Sequence, residues 1–113
     1  MTIQAFIDLT GATLITETSD LKREITCGYT CDLLSWVMSH GAADMAWITV
    51  QTHMNVIAVA TLMDMAAIIA PEGIEFEKDV IEKAADEGIA LMCSNKTAYE
   101  LSGIMFQAGI PAN

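Results

Sequence analysis

The stretch WITVQTHMNVIAVATLMDMAAIIAPEG, residues 47–73, decides the fold of this chain. Residues 46–50 are apolar and largely β-branched before the polar residues that follow them, which predicts a short buried strand. Residues 54–65 are almost entirely apolar, which predicts a buried helix. Residues 66–70 predict a second strand that ends at Pro71, because proline cannot donate to a sheet. Strand, helix and strand in about 25 residues indicate a right-handed βαβ unit with parallel strands.

The helix predicted over residues 54–65 needs cover on more than one side. A helix that is apolar all round cannot lie on the surface of a monomer. We expect one side to pack on the sheet and the other to be covered by another element or by a second subunit. This requirement is one basis for expecting a homodimer.

Length and composition predict a single domain over residues 1–113. The chain has 53% hydrophobic residues and a mean hydropathy of +0.42, enough for a real core in 113 residues. No run approaches the roughly 18 apolar residues that a membrane span requires. The first ten residues have neither a basic region nor a long apolar core, so we expect no secretory signal and a cytoplasmic location.

Charge narrows the range of partners. Fifteen acidic residues against five basic ones give a net charge of −10 and a pI near 4.2. Such a potential repels nucleic-acid backbones and anionic membranes, so neither is an expected partner. A small anionic ligand stays possible, because backbone donors at a helix N-terminus act locally.

The three cysteines, Cys27, Cys31 and Cys93, allow two interpretations. An odd number without a secretory signal indicates reduced thiols rather than disulfides. Cys27 and Cys31 have a CxxxC spacing and, with Cys93, would provide three ligands of a metal or iron–sulfur site, although clusters usually take four thiolates. Alternatively, all three are small, mostly buried apolar residues.

Outside the central unit, the pattern predicts alternating helices and strands. A short helix begins after Thr2 and ends at Gly11. Residues 17–24 are charged and predict a solvated loop. The other strands are expected at residues 13–16, 24–28 and 89–93, and the other helices at residues 31–40, at residues 75–87, and after a capping box at Thr97. In helix 31–40, the side chains expected to face the interior are those of Leu33, Leu34, Val37 and Met38.

Two polar turns lie where a predicted strand ends and a helix begins. In a parallel sheet both turns fall on the carboxyl edge, the usual place for ligands in open α/β sheets. We therefore predict one crevice whose ligand-binding residues are Thr52, His53, Asn55, Ser94, Asn95, Lys96 and Thr97. The same residues would also serve as helix caps without any ligand. His40, the other histidine, is expected at a helix C-terminus, where its charge suits the dipole.

The order of these elements resembles a known family. ITCGYTCDLLSWVM, WITVQTHMNVIAVATLMDMAAIIAPEG and GIALMCSNKTAYELSG are similar to single-domain members of the DRTGG family. That family is related to the N-terminal domain of HPr kinase/phosphorylase and, distantly, to that of Mur ligases. The Asp-Arg pair and the Thr-Gly-Gly that give the family its name do not occur here. Thr52-His53 and Pro71-Glu72-Gly73 stand roughly in their places.

The resemblance implies a three-layer α/β/α domain with a mostly parallel sheet, acting as a regulatory homodimer. The chain lacks a phosphate-binding loop GxxxxGK[ST], so kinase activity is not expected. The resulting hypothesis is a non-catalytic module, without a cofactor or a metal, that binds a partner enzyme or a small ligand, such as an adenine nucleotide or another phosphorylated metabolite. The alternative is an iron–sulfur or thiol-based accessory protein of a redox enzyme such as an iron hydrogenase.

Overall fold

A computed structural model of the chain describes residues 1–17 and 20–113. Thr18 and Ser19, within the predicted loop 17–24, lie outside the described residues. The sheet has five strands in the order β1-β5-β4-β3-β2. The strands are β1 Thr13–Leu14, β2 Cys27–Thr30, β3 Met45–Ile48, β4 Ala67–Ala70 and β5 Ala90–Cys93. The helices are α1 Ile3–Thr10, α2 Leu34–His40, α3 Met54–Leu62, α4 Lys78–Asp86 and α5 Ala98–Gln107.

Strands β2 to β5 are parallel and adjacent in chain order, whereas β1 pairs antiparallel with β5. Because each crossover takes the same hand and the strands advance in one direction, α2, α3 and α4 all pack on one face. Helices α1 and α5 cover the other face. The predicted three-layer α/β/α class is therefore confirmed. Within the described part of the chain, no helix is both long and apolar enough to cross a lipid bilayer.

Large side chains line the face of the sheet toward α2, α3 and α4. Tyr29, Trp47, Ile68 and Leu91 stand in register across the four parallel strands. Trp47 is completely buried, and its indole Nε1 donates to the Cys31 carbonyl at 2.8 Å. Its one polar atom is thereby satisfied, as burial of a tryptophan requires.

The opposite face carries a row of small residues. Gly28, Ala46, Ala67 and Ala90 are in register from β2 to β5. A Cβ atom added at Gly28 would come within 2.6 Å of the Met105 Cε atom of α5. The small row therefore lets α5 approach the sheet closely at the β2 end.

The ends of the first and last helices agree with the sequence prediction. Thr2 caps α1 through a bond from the Ala5 amide, and Gly11 ends it in the left-handed conformation. Thr97 and Glu100 form the expected capping box of α5. The Thr97 backbone amide and the Thr97 hydroxyl both donate to the Glu100 carboxylate. These bonds, chiefly the one from the amide, lower the pKa of Glu100.

Several predicted boundaries are wrong. Helix α2 is shorter than residues 31–40, because residues 31–33 belong to the loop at the carboxyl edge of the sheet. Leu33 and Met38 are exposed, while Val37 is fully buried and Leu34 is half-buried. Helix α3 ends at Leu62 rather than at residue 65, since Asp64 takes a positive φ of 56°.

Helix α3 receives most of its cover from its own chain. Val56, Ile57, Val59 and Ala60 are buried in the core beside α2 and α4. The outward line of the helix is exposed and includes Leu62. The outward line, which the prediction required another element or a second subunit to cover, is therefore not covered by the described residues of this chain.

Candidate functional site

A cleft opens where β3 ends and α3 begins. It has a volume of about 410 Å³ and is lined by the loop over residues 50–54 together with the first turn of α4. Thr52 is half-buried and His53 is exposed there, both at the carboxyl edge of the sheet. The structure thus places these two predicted ligand residues beside one open cavity.

His53 is the N-cap of α3. Its Nδ1 atom accepts a bond from the Asn55 amide at 3.1 Å. An imidazole nitrogen that accepts cannot carry the proton, so in the neutral ring the proton is on Nε2. The described structure gives Nε2 no partner, and this atom is the donor that His53 can offer to a ligand.

Asp32 holds the loop that forms the cleft, and sequence analysis missed it. Its Oδ1 atom accepts from the Thr49 hydroxyl at 2.8 Å and from the Val50 amide at 2.9 Å. Thr49 is almost completely buried and also accepts from the Gln51 amide through its hydroxyl oxygen. The sequence pattern put Asp32 at the start of the helix predicted over residues 31–40, so its position in the loop beside residues 51–53 was not predicted.

Two acidic residues form the α4 side of the cleft. Glu77 is the N-cap position of α4, and Asp79 follows in its first turn. Both are exposed, and Asp79 accepts a bond from the Val80 amide at 2.9 Å. Opposite His53, this wall disfavours a bare phosphate and favours a ligand that brings its own cation.

Most residues of the second predicted turn, residues 94–97, form hydrogen bonds within the chain. The Ser94 hydroxyl accepts from the Lys96 amide at 3.1 Å, and the Lys96 Nζ atom donates to the Thr10 carbonyl at 3.1 Å. Thr97 caps α5. Helix capping was the alternative to ligand binding at this turn, and it is confirmed for Thr97.

The prediction that both polar turns line a single crevice is wrong. Strand β4 lies between β3 and β5. The loop after β4 covers the second turn, because the Glu72 amide donates to the Lys96 carbonyl and the Gly73 amide donates to the Ser94 carbonyl. Ser94 and Asn95 line a separate cleft of about 280 Å³ beside Cys93 and Glu75. Asn55 lines neither cleft and instead faces a groove between α2 and α3.

The three cysteines do not form one ligand set. Neighbouring strands lie about 4.8 Å apart, so β2 and β5, three spacings apart, are separated by about 14 Å. Cys31 follows β2, whereas Cys93 ends β5. Burial raises the pKa of the Cys27 and Cys93 thiols, which opposes the thiolate form that a metal needs. Among residues 1–17 and 20–113, no group of three His, Cys, Asp or Glu side chains is placed to hold a metal ion.

His40 ends α2, as expected. Its Nδ1 atom lies 2.9 Å from the Trp36 carbonyl oxygen, and its ring stacks on Trp36 at a centroid distance of 4.4 Å. His40 is therefore held within its own helix and lies away from the cleft at His53.

Comparison with known proteins supports the fold alone. No protein-family model matches the sequence, and no curated protein matches it. The structure is similar to the CBS and DRTGG domains of the regulatory region of Clostridium perfringens pyrophosphatase, complexed with the activator diadenosine tetraphosphate. The TM-score is 0.73 at 13% sequence identity, and the match covers 97% of this chain and 47% of that chain. A DRTGG-like fold is supported, and this chain spans about half the length of that solved chain.

Replacing Asp32 by Ala should lower the free energy of unfolding by about 1–2 kcal/mol, because two donors lose a shared acceptor. Asp32→Asn keeps an oxygen in the same place and should lose about half as much or less. Urea unfolding measures the stability, and hydrogen exchange at the Val50 amide reports the loop. Unchanged exchange in Asp32→Ala would contradict the assigned role.

Proposed function

We propose that this chain is a non-catalytic regulatory module of the cytoplasm that binds a small ligand in the cleft beside His53. The observation that carries the proposal is the exposed donor at the carboxyl edge of a parallel sheet, next to the first turn of α3. Open α/β sheets bind ligands at this edge. The similar solved structure is a regulatory region rather than a catalytic one, which supports a sensing role.

We propose an adenine nucleotide or another small phosphorylated metabolite as the ligand. The first turn of α3 offers backbone donors for a phosphate, and His53 Nε2 offers one more. The net charge of −10 and the nearby Glu77 and Asp79 oppose a bare polyphosphate. A nucleotide that carries Mg²⁺ avoids this repulsion, because carboxylate oxygens suit that ion. Mg²⁺ should therefore strengthen binding.

We also propose that the module acts as a homodimer through the outward faces of α2 and α3. Leu33, Trp36, Met38 and Leu62 are 61%, 51%, 48% and 68% exposed. Neither helix contains Asp, Glu, Lys or Arg, although the chain is strongly acidic. An uncharged apolar face lets two acidic copies associate with little repulsion, and contiguous apolar patches mark interaction sites.

The ligand proposal is tested by thermal unfolding with ATP or ADP, with and without Mg²⁺. A bound ligand should stabilise the native chain by about 2.7 kcal/mol at a concentration about 100 times its Kd. His53→Asn should keep the helix cap, since Asn caps well, yet lose the imidazole donor and weaken binding several-fold. Asn95→Ala, in the other cleft, is the matched control. Loss of binding in the control but not in His53→Asn would place the ligand elsewhere.

The homodimer is tested by size-exclusion chromatography with light scattering. Leu62→Lys should convert a dimer into a monomer, because it places a charge at the proposed interface. Phe106→Lys changes a side chain of similar exposure, 75% against 68% for Leu62, in the opposite helix layer and should leave the dimer intact. A wild-type chain that stays monomeric at high micromolar concentration would refute the dimer.

The sensing role proposed here requires no iron–sulfur cluster. Replacing Cys31 and Cys93 together by Ser should leave nucleotide-induced stabilisation unchanged, since neither thiol lines the cleft at His53. Anaerobic purification and iron analysis provide the complementary measurement. A brown, iron-containing protein that loses its colour in the double variant would favour the accessory-protein alternative.

A further inference from the structure

Another cavity lies on the other face of the sheet, between α5 and the C-terminal segment. It has a volume of about 230 Å³ and is lined by β2, by Ile48 at the end of β3, by α5 and by residues 110–112. The C-terminal segment is fixed there, because the Gly28 amide donates to the Pro111 carbonyl at 2.9 Å. This α5 groove is separate from the cleft at His53, which opens on the α3 side.

The walls of the α5 groove are apolar and uncharged. Its apolar lining residues include Met105, Phe106 and Ile110, and the lining contains no Asp, Glu, Lys or Arg. Phe106 is 75% exposed although it borders this cavity. Covering that ring gains free energy, and an aromatic guest would also stack on it and contact the methionine sulfur.

Two hydroxyl groups give the groove a fixed hydrogen-bonding polarity. Thr30 Oγ1 and Ser102 Oγ lie 2.7 Å apart. Ser102 has one hydroxyl hydrogen and donates it to the Ala98 carbonyl at 2.7 Å. The hydrogen between the two hydroxyls must therefore come from Thr30. Both hydrogens are then engaged within the protein, and Thr30 Oγ1 can only accept from a ligand.

We propose that the α5 groove binds an uncharged planar ring system that carries an N–H donor, the chemical class of indoles and nucleobases. The volume lies below the roughly 300–1,000 Å³ of pockets that hold drug-sized ligands, so it fits a ring rather than a whole nucleotide. The lining holds no Lys, Arg or His, so no side chain in the groove would pair with an anionic group. A guest that forms a hydrogen bond with Thr30 Oγ1 must be the donor, given the assigned direction of the hydroxyl pair.

Indole and benzofuran test this polarity, because they share a shape and differ in N–H against O. Amide chemical shifts in a titration of the full chain give both the affinity and the location. Indole should bind about three- to tenfold more tightly than benzofuran, the value of one hydrogen bond, and should shift Thr30, Ser102 and Phe106. Equal affinities, shifts confined to the α3 side, or no binding at millimolar probe would overturn the proposal.

Three variants separate hydrogen bonding from packing. Thr30→Val keeps the shape of the side chain but removes the acceptor, so the preference for indole should fall below twofold. Ser102→Ala removes the acceptor that holds the Thr30 hydrogen, so Thr30 can then donate and benzofuran should bind more tightly. Phe106→Ala should weaken both probes equally.

Tyr99→Ala is the matched control for these variants. Tyr99 is 89% exposed on the same helix but does not line the groove, so its removal should leave both affinities unchanged. A similar loss in Tyr99→Ala and Phe106→Ala, or a preserved preference in Thr30→Val, would refute the groove as the site. None of these outcomes depends on the proposed function of the cleft at His53.

Discussion

Burial of the central strands on both faces is the constraint on which the rest of the structure depends. All four residues of β3 and all four of β4 are buried. A strand in that position needs a layer of helices on each side, because its side chains point alternately up and down. The layer of α2, α3 and α4 covers one face, and α1 with α5 covers the other.

The two faces meet this constraint differently. The row from Tyr29 to Leu91 supports three helices that follow one another along the sheet. The row from Gly28 to Ala90 instead leaves room for α5 to lie close to the sheet at the β2 end. That close approach brings Ser102 within hydrogen-bonding distance of Thr30 and creates the α5 groove. The groove is thus a result of residue size in register across the sheet.

Strand order also determines where the polar turns lie along the carboxyl edge of the sheet. Ligand crevices in open sheets form most readily where the strand order reverses direction. Here β2 to β5 advance in one direction, so the edge has no such reversal among the parallel strands. The polar turns after β3 and β5 stay apart, with β4 and its loop between them. Two modest clefts result, and only the one at His53 combines an exposed donor with a helix N-terminus and an acidic wall.

The resemblance to the DRTGG family implied the three-layer class, and the residue pattern by itself determined the parallel βαβ centre and several helix ends. These features depend on local chemistry: apolar runs bury, Thr2 and Thr97 cap, and Gly11 permits a left-handed turn. Only the tertiary structure decided which turns adjoin, that Asp32 holds the loop at Thr49, and that Cys27 and Cys93 lie on separated strands. Strand order depends on contacts between residues distant in the chain, and a pattern of neighbouring residues does not encode it.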